Sequence, residues 1–275
     1  MNLFLKTKDH AVSGEEFELY HDAELDMLIT RPQPEELDQY YKSDNYISHT
    51  DASRTLTEKI YQIVKKFSLE LKVRLINKYS ENDKTLLDVG AGTGDFLAVA
   101  KHKGWSVFGV EPNWYARGKA SEKEINLSGD LEAVMNRKYQ VITLWHVLEH
   151  LTDLENQILK MSSLLEDNGT MVIAVPNYKS YDAKYYKDFW AAYDVPRHLW
   201  HFSQDAIQRL FAKYQMEVVA KKPLFFDAFY VSLLSEKYKK SRLGFIKGVF
   251  IGLISNCLAL FSKEYSSLIY IVKKA

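Results

Sequence analysis

One cysteine, Cys257, is all the thiol chemistry available to this chain of 275 residues. It excludes an internal disulfide and any zinc site built on paired cysteines. An excess of either charge is also missing. Lys and Arg total 36 and Asp and Glu total 36, so no global basic field exists to hold nucleic acid, and no nucleic-acid partner is expected. The opening MNLFLKTKDH has too short an apolar run for a secretory signal. A reducing cytoplasm is the expected compartment. Internal repeats and low-complexity tracts are absent too. What remains is an ordinary globular mixture, 47% hydrophobic and 26% charged, of a length that suits one large domain or one domain with appendages.

One long apolar run tests the soluble reading. LGFIKGVFIGLISNCLALF, residues 243–261, is nearly long enough to span a bilayer, yet it contains Lys247 and Asn256 and is flanked by basic residues. It reads first as a buried core helix, since core helices can be apolar all round. The alternative is a peripheral, membrane-facing helix near a lipid substrate.

Along the chain, residues 1–52 read as a polar, irregular cap segment rather than a compact unit, with Pro32, Pro34 and many tyrosines. A helix is predicted over 53–79, where Leu56, Ile60, Ile63, Phe67, Leu71 and Leu75 recur at helical spacing and Ser53 or Thr55 could cap the start. The rhythm then changes. Strand-length apolar runs at 85–89, 106–110, 139–145 and 170–175, with a weaker one at 124–127, alternate with helical segments at 95–103, 114–122 and 154–165. That alternation predicts an α/β fold with a parallel sheet covered on both faces. An aromatic-rich insertion follows at 177–202, then a helix capped by Ser203, a strand from Glu217 and a last strand at 267–272. The main domain is therefore drawn at 53–275, with its core at 85–176.

The core opens on LLDVGAGTGDFL, in which Gly90, Gly92 and Gly94 alternate with other residues between a strand and a helix. Glycine costs conformational entropy, so three so close together need a reason. A phosphate loop is excluded because Gly94 is followed by Asp95 and Phe96 rather than Lys and Ser or Thr. A dinucleotide loop has different glycine spacing, and Asp88 and Asp95 would repel a pyrophosphate. Both carboxylates suit a cationic ligand bearing an amino group. The next strand ends in GVEPN, where Glu111 can accept hydrogen bonds from both hydroxyls of a ribose. Asp130, in LSGDL, could accept from an adenine amino group, with the Leu131 backbone N–H beside it. The same Gly-Asp pair is also ordinary turn chemistry.

These segments, with YQVITLWHVLEHL, resemble the motifs of the class I S-adenosylmethionine-dependent methyltransferases. The resemblance is close over 85–176 and most like a small-molecule branch that includes quinone and sugar methyltransferases. It implies a Rossmann-like, seven-stranded, mostly parallel sheet with helices on both faces and an antiparallel last strand. It implies S-adenosyl-L-methionine as the cofactor. Carried over by position, Asp88, Gly90, Ala91, Gly92 and Gly94 line the methionine part, Glu111 and Pro112 the ribose, and Asp130 and Leu131 the adenine. Trp145 and His146 lie beside the sulfonium and the substrate.

The expected acceptor is a small molecule, methylated at a hydroxyl of a sugar, lipid precursor or quinone-like compound, without a metal. No Asn-Pro-Pro-Tyr sequence follows the fourth strand to suggest an amide acceptor. A hydroxyl acceptor benefits from a base titrating near neutrality, which suits histidine. His198 is the first choice and His150 the second, though His150 also reads as a structural residue. Arg197 either binds an acidic group on the substrate or pairs with Asp194. The other reading is a cofactor-binding interaction module without turnover.

Overall fold

The computed structural model describes residues 1–41, 56–80 and 84–275. The proposed caps Ser53 and Thr55 lie outside them. In chain order the strands are β1 (Asn2–Lys8), β2 (Glu16–Asp22), β3 (Met27–Arg31), β4 (Thr85–Val89), β5 (Ser106–Val110), β6 (Tyr139–Trp145), β7 (Leu165–Pro176), β8 (Trp200–His201), β9 (Met216–Pro223) and β10 (Ser267–Lys274). The helices are α1 (Leu56–Ile76), α2 (Asp95–His102), α3 (Trp114–Ser121), α4 (Leu154–Leu164), α5 (Tyr181–Tyr186), α6 (Gln204–Ala212), α7 (Phe225–Tyr238) and α8 (Gly244–Ser262).

The main sheet runs β5-β4-β6-β7-β10-β9. β5, β4, β6 and β7 are parallel, and β10 pairs antiparallel with both β7 and β9. The expected fold class therefore stands, with six strands among the described residues rather than seven. The weak strand expected at 124–127 does not form. Only Ser128 bridges to Val110, and Glu124 turns the backbone at φ +58° just before it.

Alternation explains how the sheet is covered. Leu87, Val89, Ile142, Leu144 and Ile173 join one core, while Leu86, Val141, Val172 and Ala174 join the core on the opposite face. Because β4 leads to β5 on one side and β6 lies on the other, the carboxyl ends of β4 and β6 flank the crevice where such sheets bind ligands.

Two regions differ from expectation. The amino-terminal residues are not irregular: β1, β2 and β3 form an antiparallel sheet whose outer partner is β8, from the distant insertion. The insertion builds a packed third core. Phe17, Leu19 and Leu28 of the small sheet bury against Tyr186, Trp190 and Tyr193, with Val231 and Ile251 from α7 and α8. Buried Asp182 anchors this core, accepting hydrogen bonds from Trp190 Nε1, Ser255 Oγ and Ser266 Oγ, each at 2.7 Å. Ser203 does cap α6, accepting from the Ala206 N–H at 3.0 Å. The apolar helix α8 departs from its first reading. Only 28% of its apolar window is buried.

Candidate cofactor and active site

At the end of β4 the chain turns through Gly90, Gly92 and Gly94 with φ of +70°, +55° and +75°. Only glycine adopts that left-handed backbone without strain. Their surroundings differ. A Cβ on Gly90 would meet Val147 Cγ2 at 2.4 Å, and one on Gly94 would meet Ala120 Cβ at 2.9 Å. A Cβ on Gly92 would meet nothing within 4 Å among the described residues. Gly90 and Gly94 thus let the loop pack, while Gly92 faces open space at the sheet's carboxyl edge. Gly90 and Ala91 both donate their N–H to the Val110 carbonyl, at 2.8 and 2.9 Å, and this pins the loop to β5.

Glu111, just past β5, holds the same loop from its other side. Its Oε2 accepts the Gly92 N–H at 2.9 Å and its Oε1 accepts the Asn113 N–H at 2.9 Å. The Glu111 and Pro112 carbonyls both accept from Arg117, at 2.7 Å. Asp130 accepts the Ala133 N–H at 3.0 Å, the turn chemistry that sequence reasoning had set beside adenine binding. The Leu131 side chain is buried in the core.

Asp88 is buried at the end of β4, where its Oδ1 accepts the Thr143 hydroxyl at 2.6 Å. Burial pushes its carboxyl up to about 7, although Thr143 and nearby Lys72 pull the other way. Lys72 also lies over the Trp145 ring, 4.3 Å from its centroid. The Trp145 indole N–H is buried without a hydrogen-bond partner among the described residues. Asp95 is not available to a ligand in the way its sequence position suggested. Lys65 and Lys123 pair with it at 2.9 and 2.6 Å.

The tip of β6 carries a second group of residues. His146 has φ +57°, and its Nε2 lies 2.9 Å from Asp227 Oδ2 and its Nδ1 3.4 Å from Glu149 Oε1. Burial opposes the charge on this imidazole, but Asp227 and Glu149 together outweigh it and push the pKa up to about 10. His146 is thus a fixed cation rather than a base. Glu149 is buried, and its carboxylate accepts no hydrogen bond among the described residues.

The two candidate bases do come together. The His150 and His198 rings meet edge to face with centroids 4.5 Å apart. His150 Nδ1 lies 3.0 Å from the Arg197 carbonyl, and His198 Nδ1 lies 2.8 Å from the Ala192 carbonyl. A carbonyl only accepts, so each ring carries its proton on Nδ1 and leaves Nε2 as an acceptor. Burial and the neighbouring His198 push His150 down to about 4. The two residues differ in access: His198 is buried, whereas His150 is half-buried at the strand tip. Tyr41 reaches His150 Nδ1 at 3.3 Å. Ligand atoms of Glu149, His150 and His198 all lie within 4.8 Å of one another. Arg197 takes the pairing role, bonding Asp194 at 2.7 Å and Asp9 at 2.9 Å.

An open cleft of about 570 Å³ lies elsewhere, over the amino-terminal sheet. Lys6, Glu16, Tyr20 and Arg31 line it, and no glycine-loop or histidine-cluster residue does. It brings no such chemistry together. Sequence reasoning missed Lys72, Glu149 and Asp227. Glu149 stands inside the WHVLEH segment and was within reach of it, whereas Asp227 is far along the chain and carries no local signal.

Comparison with known proteins bears on this geometry. A family model described as a methyltransferase domain matches residues 58–221. An uncharacterized methyltransferase of Geobacillus thermodenitrificans is 29% identical over 112 residues, which are 36% of this chain and 50% of that protein. One from Geobacillus kaustophilus is 30% identical over 108 residues, again 36% of this chain and 50% of that protein. The chain thus spans about half the length of the curated relatives it matches. Among solved structures, magnesium protoporphyrin IX methyltransferase from Synechocystis PCC 6803, with bound S-adenosylhomocysteine, superposes with a TM-score of 0.56 at 14% identity, covering 86% of this chain and 97% of that one. A mycolic acid cyclopropane synthase superposes with a TM-score of 0.51 at 14% identity, covering 74% of this chain and 82% of that one.

Proposed function

We propose, from the premise that this chain belongs to the methyltransferase domain family, that it transfers a methyl group from S-adenosylmethionine to a hydroxyl of a small-molecule acceptor. Gly92 carries this reading. It is left-handed, it faces open space, and it lies at the carboxyl edge between β4 and β6. The residues around it fit the cofactor. Asp88 stands by for the amino group, Glu111 has further lone pairs for ribose hydroxyls, and Trp145 offers an unpartnered indole N–H. When bound, the cofactor supplies a methyl group on a sulfonium, open to in-line displacement.

The chain's own contribution is mainly positioning, which can lower a barrier by about 7–11 kcal/mol. His150 is the more accessible of the two histidines, although at about 4 it is a weaker base than one titrating near neutrality. It is neutral at working pH, half-buried at the β6 tip, and has Nε2 free of its own Nδ1 hydrogen bond. His198 positions it. Sugars, lipid precursors and quinone-like rings are the acceptor classes to screen.

Calorimetric titration with S-adenosylmethionine, S-adenosylhomocysteine and NAD tests the donor side. The first two are expected to bind at micromolar concentration, while binding of NAD alone would overturn the reading. Cofactor binding with no turnover on any acceptor would favour an interaction module.

The perturbed Asp88 makes affinity depend on pH. Below about 7 the free carboxyl is protonated, so binding an ammonium group must first release that proton. Affinity is expected to rise up to about tenfold per pH unit below 7 and to level off above it. In Asp88→Asn this rise disappears. The same shift has a stability consequence for the ligand-free protein. A carboxyl whose folded pKa is raised stabilises fully below its unfolded value near 4, and the contribution is lost as pH climbs through about 7.

Glu149, His150 and His198 also form a donor set that a divalent cation would accept. As an acid–base cluster they need none, so methyl transfer is expected to survive EDTA and dialysis unchanged. Loss of activity with rescue by zinc, manganese or magnesium would reassign the cluster to metal binding.

A further inference from the structure

Helix α8 is inside out. A surface helix of a soluble protein buries its large apolar side chains and shows polar ones to water. Here the buried face is small: Gly248, Gly252, Ser255 and Ala259, with Ile251. The outward face carries Phe245, Ile246, Phe250, Leu253, Leu260 and Phe261, with Phe245 71% and Phe261 88% exposed. Gly248 and Gly252 are spaced as in close-packed membrane helices. A Cβ at Gly248 would lie 2.8 Å from Leu233 Cα, and one at Gly252 would lie 2.9 Å from Phe229 Cα. Backbone thus packs against backbone, and the large residues are left outside.

Charge identifies what covers that face. Between Glu236, which is buried, and Glu264 the chain has six basic residues (Lys237, Lys239, Lys240, Arg242, Lys247, Lys263) and no acidic one, in a protein whose totals balance at 36 and 36. A second copy of this chain would set these cations against one another. A layer with an apolar interior and anionic headgroups satisfies both features.

The helix cannot leave the protein to span that layer. Ser255 Oγ donates to buried Asp182 at 2.7 Å, and Asn256 Nδ2 donates to the Phe225 carbonyl at 2.9 Å. One face stays on the protein and one is free. The Phe225 turn begins α7, which continues the apolar surface through Phe226 and Tyr230. It also carries Asp227, the partner of His146. The helix that extends the exposed apolar surface thus also contacts His146 at the tip of β6.

We propose that the Gly244–Ser262 helix lies flat in the headgroup boundary of an anionic bilayer and brings the site to an acceptor carried in that membrane. The docking stands on the helix alone, while the acceptor's location rests on the proposed methyl transfer. The test is co-sedimentation of the full chain with phosphatidylcholine vesicles and with mixed phosphatidylcholine–phosphatidylglycerol vesicles, at low and high salt. Binding is expected to be at least about tenfold stronger on the mixed vesicles and to weaken with salt. The double variant Phe250→Glu and Phe261→Glu is expected to lose it with its thermal midpoint retained, since both residues are exposed. Lys239→Glu with Lys240→Glu, which leaves the apolar face intact, is expected to lose only the preference for anionic lipid. Wild-type protein left in the supernatant with both vesicles would overturn the proposal. So would a dimer in light scattering that dissociates in the phenylalanine variant, which would assign the face to a second copy. Cofactor titration without vesicles separates the two readings, because docking persists if the cofactor fails to bind.

Discussion

Gly92→Arg is expected to abolish S-adenosylmethionine binding while leaving the protein folded. The substitution places a non-glycine residue at φ +55°, a strain of about 1–2 kcal/mol against a typical domain stability of about 5–15 kcal/mol. Its Cβ meets nothing, so no packing is disturbed. The long side chain must instead run into the space reserved for the ligand, and its charge would repel a sulfonium. A loss of more than about 100-fold in affinity is expected by calorimetry, with the thermal midpoint lowered by only a few degrees. Gly90→Ala supplies the contrast. Its Cβ would lie 2.4 Å from Val147, so it should lower the midpoint more than the arginine at Gly92 does. If Gly92→Arg bound the cofactor normally, the open space would not be the binding site.

His150→Ala is expected to lower kcat by about two to four orders of magnitude, with little change in cofactor affinity. Removal of a base that serves the acceptor rather than the cofactor should act on the chemical step. His198→Asn acts through its neighbour. It removes the ring that, after burial, holds His150 down at about 4. The acid limb of the pH–rate profile, where the base becomes protonated, should then move to higher pH. A purely structural His198 would lower the rate at every pH without moving that limb. Equal and large losses in both variants, with no shift, would return the role of base to His198.

The sheet was legible in the sequence because its strands are local, and so was the meeting of the glycine loop with Glu111. Alternation of apolar runs gave the parallel strands of 85–176. The glycines and Glu111 lie on loops that follow adjacent parallel strands, so the pairing of β4 with β5 brings them together. The amino-terminal sheet was not legible, although Phe17 and Leu19 alternate with Glu16, Glu18 and Tyr20 as a strand should. Its edges carry Lys6–Glu18 and Lys8–Glu16 pairs in solvent, so the segment reads as polar. Its fourth partner, β8, is about 170 residues away and only two residues long. The packing of the insertion was not legible for a related reason. Aromatic residues that can stack on a ligand can equally fill a core, and only the arrival of β1–β3 decides between them. The charge state of His146 was hidden as well, because it depends on Asp227, which three helices and three strands separate from it in sequence.

Arg197 gives the amino-terminal sheet a meaning for where this domain ends. The guanidinium is 1% exposed and spans two parts of the chain, reaching Asp9 at 2.9 Å, Asp194 at 2.7 Å and the Tyr40 carbonyl at 2.9 Å. The family match begins at residue 58 and so contains Arg197 but neither Asp9 nor Tyr40. A fragment cut at that boundary would bury a cation stripped of half its counter-charge, a defect of about 3–5 kcal/mol, and would bare the aromatic core against which β1–β3 pack. The recognisable domain and the packed unit therefore differ in extent. The first forty residues act as a covalently attached subunit that completes the third core.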